Sequence, residues 1–349
     1  MRFERRANVP WALAVSAPFA AVGAALALSA ALIIAAGVNP LWAYLEMLRG
    51  ALGSRLAVTE MLTRAVPLIL TGLAAAVAFR ARFWNIGGEG QFYIGALAVA
   101  WVGHDLISGL PSAIGIAVLL VVGMAAGALL LSGPAYLRLR YGVDEVVTTL
   151  LMNFVVILFV GLMIEGPLRD PLAFGWPQSV PVDGTYRLPD LIPKTRLHIG
   201  LLIAVAVAGV VWLIFARTVF GTEARAAGFN ARAAEFAGVS LPRTVIGVAL
   251  LSGGLAGLAG TIEVMGVTGG VTTTMSPGFG YAGIVVAMLA ALHPAGVVAA
   301  AVFVATIFVG ADAMSRATGV PSFIADVIVA LALLTMLAAL FFSSYRIRR

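Results

Sequence analysis

The chain has 349 residues, of which 61% are hydrophobic and 11% charged, and a mean hydropathy of +1.04 puts it outside the range of soluble domains. It contains no cysteine, which excludes disulfides, thiolate metal sites, c-type haem attachment and a cysteine nucleophile. Its net charge of +6 sits in short segments between apolar runs, as the positive-inside rule expects, so the basic balance gives no reason to invoke nucleic acid as a partner.

In chain order, MRFERR precedes an apolar run from Val9 to Val38. The basic flank suits a signal peptide, but the run exceeds the roughly 7–15 residues of a cleaved apolar region and is read as a retained first helix. Further apolar runs lie at 65–79, 91–107, 111–132, 146–164, 198–216, 243–266, 278–292, 295–311 and 321–342. The expectation is an all-α, polytopic transmembrane bundle of about ten spans, forming a single domain over 1–349. With the N-terminus in the cytoplasm, Arg80, Arg82, Arg138, Arg140, the 217–242 loop and the terminal Arg346, Arg348 and Arg349 fall inside, and both termini share that side. The proline-rich loop 166–197 then forms an extracytoplasmic cap, while Arg49, Arg55 and Arg64 run against the rule. Small residues spaced by four, Gly123 with Gly127, Gly253 with Gly257 and Ala256 with Gly260, suit close helix packing in lipid.

Three segments carry more than packing. GTEARAAGFNARAAEFAG, Gly221–Gly238, is a charged amphipathic stretch between apolar runs. Its arginines and glutamates leave +1 over 223–243, which a docking element or a merely solvated cytoplasmic helix would both show. AFRARFWNIGGEGQFYIGA, Ala78–Ala96, sets Asn85, Glu89 and Gln91 among glycines and aromatics. A broken segment exposes peptide groups that must meet protein, water or substrate, whereas a glycine-rich turn with Glu89 in water is the plainer alternative. Phe92, with Phe83, Trp84 and Tyr93, offers a stacking face for a base, although interfacial aromatics read the same way. In YGVDEVVTTLLMNFVV, Glu145, Thr149 and Asn153 recur every four residues on one helical stripe. Polar groups at membrane depth turn towards the bundle interior or a water-filled path, so the stripe either lines a path or bonds helix to helix.

These motifs resemble those of bacterial ATP-binding-cassette importer permeases of the branched-chain amino acid, ribose and nucleoside type. The coupling-loop pattern is carried here by Gly221, Glu223, Arg225, Ala226, Gly228, Asn230, Ala233, Ala234 and Gly238, and the N-I-G-x-E-G-Q signature by the segment from Asn85 to Gln91. The resemblance extends over 60–330, including GVDEVVTTLLMN and SPGFGYAGIVVAMLAALHPAG, and looks most like the nucleoside branch. It implies a multi-pass subunit of the bacterial cytoplasmic membrane that works with a separate ATPase, a shorter related permease and a lipid-anchored or periplasmic binding protein. Nucleosides are the implied substrates, with ribose or another simple sugar as the alternative. Asn85, Glu89, Gln91, Phe92, Glu145, Thr149 and Asn153 are candidates for the substrate pathway.

The only lysine, Lys194, follows Pro193, so the chain has no G-x-x-x-x-G-K-[ST] phosphate loop and any ATP is bound by a partner. His104, His198 and His293 lack H-E-x-x-H spacing, so no metal or other cofactor is expected. Two rival readings have specific residues behind them. An intramembrane enzyme would use Ser252 with His293, but Leu250 breaks the G-x-S-G surround and a small packing serine is simpler. An ion-coupled transporter would use Glu263 or Asp326, which both fall near span ends where they reach the interface.

Overall fold

The computed structural model describes residues 2–5 and 10–348; Met1, Arg6 and Arg349 of the basic flanks lie outside the described residues. Its helices are α1 (Trp11–Ala35), α2 (Pro40–Leu52), α3 (Arg55–Arg80), α4 (Gly88–Trp101), α5 (Ser112–Tyr141), α6 (Glu145–Glu165), α7 (Gly200–Arg217), α8 (Val219–Phe229), α9 (Ala231–Phe236), α10 (Leu241–Glu263), α11 (Phe279–Leu289), α12 (Pro294–Thr318) and α13 (Ser322–Ser344). Single π-turns follow α4 and α10, at Val102–Leu106 and Val264–Thr268. Apart from one antiparallel pair of four-residue strands, β1 (Arg2–Arg5) and β2 (Tyr345–Arg348), the fold is helical.

Among the described residues, six helices are long and apolar enough to cross a membrane, or seven if the pair α1–α2, bent by 116°, counts as one span. The chain is therefore a multi-pass helical protein, but the expected count of ten is not reached by this measure. The differences have local causes. The run 91–107 divides into the 14-residue α4 and a π-turn, and the run 278–292 yields an α11 of only 11 residues. Conversely, α3 begins ten residues before its apolar run, because Arg64 is accommodated within the helix by Asp312 at 2.6 Å.

Contacts divide the chain into two units. The first, Met1–Arg64 with Phe303–Arg349, packs α1 against α13 and brings the backbone at Gly310 close to Met47. The second, Ala65–Val302, is built around α4, α5 and α10. There the four-residue spacing of small residues has its structural reason. A Cβ on Gly127 would overlap the Gly253 carbonyl, and one on Gly257 would overlap that of Gly123, so α5 and α10 meet backbone to backbone. Gly260 lies in the same way against the Phe92 carbonyl, drawing α4 into the same close-packed group.

Candidate functional site

The site is organised by the non-helical stretch between the end of α3 at Arg80 and the start of α4 at Gly88. Its backbone groups have lost their helical partners, and in a protein that spans lipid such groups must be satisfied by neighbours. The stripe on α6 does this. Glu145 Oε1 accepts from the Trp84 N–H at 3.3 Å and Thr149 Oγ1 from the Ile86 N–H at 3.1 Å. Asn153 Oδ1 accepts from the Gly90 N–H at 2.8 Å, while its Nδ2 donates to the Ile86 carbonyl at 3.0 Å and to the Tyr281 hydroxyl oxygen at 3.1 Å. Glu145 is itself held by Arg138 at 2.7 Å, and the same guanidinium donates to the Arg82 carbonyl at 3.1 Å. A helix repeat of four thus reads an extended strip of backbone.

A second set of bonds ties the strip to α10. Asn85 and Gln91 exchange two amide hydrogen bonds of 2.9 Å each, and Asn85 Nδ2 also donates to Ser252 Oγ at 3.0 Å. Ser252 passes its own proton to the Ala74 carbonyl at 2.7 Å. Its hydroxyl is therefore used in packing and makes no hydrogen bond to His293 among the described residues, which removes the basis for a serine nucleophile there. Glu263 is buried and Asp326 exposed.

A third set reaches the start of α11. Glu89 Oε2 accepts from the Gly280 N–H at 2.6 Å and shares a side-chain hydrogen bond with Ser276. Ser276 Oγ accepts from the N–H groups of Gly278 and Phe279, and the Tyr93 hydroxyl donates to the Thr273 carbonyl at 2.8 Å. Phe92 meets Tyr93 edge to face and Phe279 at a tilt. The structure thus brings all seven pathway candidates into one cluster, and every one of them is buried. The residues of this cluster that reach the surface are Ser276 and Tyr281, with Thr273 and Thr274 beside them; their signal in the sequence was the glycine-rich interruption from Gly269 to Gly280.

The coupling-loop candidates fall on α8 and α9, capped by Thr218 and Asn230. Gly221, Ala224, Ala227 and Gly228 form the buried face of α8. A Cβ on Gly228 would strike the Arg80 carbonyl, so α8 rests directly on the end of α3 where the helix breaks. The small residues of this loop therefore dock against the chain's own body, and Ala234 is likewise buried. Glu223 and Ala226 are half-buried, while Arg225, Asn230, Ala233 and Gly238 face outward. Two residues that the motif did not single out are the most prominent on the outer face, Phe229 at 81% and Phe236 at 95% exposed. Seven residues apart in a polar loop, they are apolar where solvation alone gives no reason for it.

The loop 166–199 joins α6 to α7 at the end opposite α8. It is pinned by Ser179 to Val271 in two hydrogen bonds and by Tyr186, whose hydroxyl donates to the Ile107 carbonyl at 2.6 Å. His198 is buried there, and its Nδ1 accepts from the Gly200 N–H at 3.1 Å, which fixes the neutral ring with its proton on Nε2. Burial pushes its pKa down to about 4, against a smaller upward pull from Asp190. A separate groove of about 420 Å³ between α7 and α12, lined by Val205, Ala208, Gly209, Trp212, Ala295 and Val298, is predominantly apolar and offers little to orient a polar solute. Among the described residues no cluster of His, Asp or Glu has the makings of a metal site.

The family described as branched-chain amino acid transport system, permease component, matches residues 57–341. The chain is 34% identical to the glucose ABC transporter permease protein TsgB13 of Haloferax volcanii, over 99% of this chain and 93% of that one. It is also 34% identical to the guanosine ABC transporter permease protein NupP of Bacillus subtilis (94% and 91% covered) and 31% identical to the nucleoside ABC transporter permease protein NupB of Lactococcus lactis (90% and 88%). No solved structure matches. With a helical fold of several membrane-crossing helices and a family match over most of its length, the chain belongs to the branched-chain amino acid transport system permease family and is the membrane subunit of an ABC importer, a transport component without an ATPase site of its own.

Proposed function

We propose that this permease imports nucleosides across the cytoplasmic membrane, alternating access as a separate ATPase subunit binds and hydrolyses ATP. The observation that carries the coupling half of this reading is the contact of Gly228 with the Arg80 carbonyl. A push on α8 from the cytoplasm bears on the end of α3, at the strip whose far end is bonded through Glu89 and Asn153 to α11. Phe229 and Phe236 are the anchors offered to the ATPase, and Glu223, Arg225, Asn230 and Ala233 border them. On this orientation both termini are cytoplasmic and the loop 166–197 faces the binding protein outside. A second, related permease completes the pore.

The buried cluster of Asn85, Glu89, Gln91, Phe92, Glu145, Thr149 and Asn153 serves the pathway from behind, by holding the backbone that borders it. The nucleoside assignment draws support from the likeness to the guanosine and nucleoside permeases. A sugar is the second reading, favoured by the likeness to the glucose permease. Deleting the gene and following uptake of labelled guanosine, uridine, glucose and ribose separates them. Loss of nucleoside uptake with sugar uptake intact supports the proposal, and the reverse pattern gives the chain to the sugars.

A further inference from the structure

We infer that the stretch Thr273–Pro277, together with the ring of Tyr281, is the surface of this permease that contacts the solute, a nucleoside held by its base on Tyr281 and by its sugar hydroxyls on the threonines. The inference rests on the nucleoside reading for the kind of ligand and on geometry for the place.

The stretch begins at the outer loop, where Val271 exchanges two hydrogen bonds with Ser179. It ends at the first turn of α11, where the Phe279 carbonyl accepts from Thr71 Oγ1 at 2.9 Å and Gly283 lies against Thr71. Thr71 sits nine residues before the end of α3. At 1.5 Å per residue that is about 13 Å along the helix, well inside a hydrocarbon layer about 30 Å thick. α11 packs on α3 at this level, Gly283 on Thr71 and Gly72 on Val286. A non-helical stretch and a half-length helix therefore meet at membrane depth.

Non-helical backbone at that depth is tolerated only where protein covers it or water reaches it. Thr273, Thr274 and Pro277 are exposed, and among the described residues neither threonine hydroxyl is hydrogen-bonded. Lipid cannot solvate them. A water-filled path can, and discontinuous helices near the midplane are where transporters of other folds hold their cargo. Tyr281 is 38% exposed, and its hydroxyl is fixed by Asn153, so its ring presents a pre-oriented face for stacking. Below it on the same face of α11, Ile284, Val285 and Met288 reach the surface and continue the strip with apolar, weakly binding groups. The polar atoms behind the strip, on Glu89, Tyr93 and Ser276, are all engaged in holding its shape.

The chain has no native cysteine, so single substitutions report cleanly. In membrane vesicles holding the complete transporter, Thr273→Cys and Thr274→Cys should react with a charged methanethiosulfonate reagent. Val155→Cys, exposed on the apolar outer face of α6, should not. Guanosine should slow the reaction severalfold. Tyr281→Leu should raise the KM for guanosine about tenfold, equivalent to about 1.4 kcal/mol of lost stacking, whereas Tyr281→Phe, which keeps the ring, stays near wild type. Protection by glucose and not by guanosine would uphold the site and overturn the nucleoside reading. Failure of both cysteines to react in every nucleotide state, or reaction that no transported solute slows, would overturn the site while leaving the importer reading untouched.

Discussion

The Asn153 side-chain oxygen accepts a 2.8 Å hydrogen bond from the backbone N–H of Gly90, so a residue in the third turn of α6 holds the first turn of α4. The same amide donates to Ile86 and Tyr281, and it is fully buried. Asn153→Leu fills the volume but orphans the Gly90 N–H and the Ile86 carbonyl, at about 1–3 kcal/mol for each buried group left unpaired. The expected outcome is a clearly lowered unfolding temperature in detergent and loss of uptake. Unchanged thermal stability would show that the strip from 81 to 87 is held by other means.

At the coupling loop, the aromatic pair and the glycine should separate into two phenotypes. Phe229→Ala with Phe236→Ala removes exposed anchors, and truncation of interface anchors commonly costs about 2 kcal/mol or more, so the ATPase should co-purify poorly. Gly228→Val keeps those anchors but forces α8 off the Arg80 carbonyl. The ATPase should still bind and hydrolyse ATP while uptake fails. Loss of ATPase binding in the glycine variant alone would reverse the roles of the two faces.

Much of this was legible in the sequence, and the limits were physical. Class, helicity and the four-residue spacing of Glu145, Thr149 and Asn153 follow from composition and helix geometry, and in the structure the three share a buried stripe facing the strip from Trp84 to Gly90. What periodicity does not carry is the partner. A polar stripe looks the same whether it meets water or, as here, the unpaired backbone of Trp84, Ile86 and Gly90. The count of ten is not reached where a helix is short for its apolar run, as with α4 at 14 residues and α11 at 11, since hydropathy does not fix where a helix begins and ends. The coupling-loop pattern likewise does not reveal that Gly221 and Gly228 meet Phe215 and Arg80 of the same chain.

Packing between α5 and α10 should tolerate no side chain. Gly257→Leu meets the Gly123 carbonyl and the Gly127 backbone, and overpacking of this kind costs about 1–3 kcal/mol or more when backbone is the obstacle. Membrane levels of the variant should fall sharply. Gly133→Ala on α5, which meets nothing within 4 Å, serves as the control and should accumulate normally. Equal levels for both would contradict the backbone-to-backbone contact.

His198 should make the outer loop sensitive to acid. In the unfolded chain its ring takes a proton near 6.5, in the folded chain near about 4, with Arg196 opposing and Asp190 favouring the charge. Between those values the unfolded state binds more protons, so stability that is complete above pH 6.5 is lost as pH falls towards 4, to the order of 3 kcal/mol at most. Protonation at Nδ1 also removes the bond from Gly200. Amide exchange over 188–200 should accelerate at pH 5 relative to pH 7.5, and His198→Asn should flatten that dependence. A pH-independent exchange rate in the native chain would refute the assignment.

The central claim is that this subunit carries a nucleoside with energy supplied by a separate ATPase. Its most direct test is uptake of labelled guanosine into proteoliposomes that hold the permeases, with the binding protein and ATP supplied, compared with and without the ATPase subunit. The account predicts accumulation only when ATPase and ATP are both present, undiminished when proton and sodium gradients are collapsed. Accumulation driven by an ion gradient in the absence of the ATPase, or transport of glucose with none of guanosine, would contradict it.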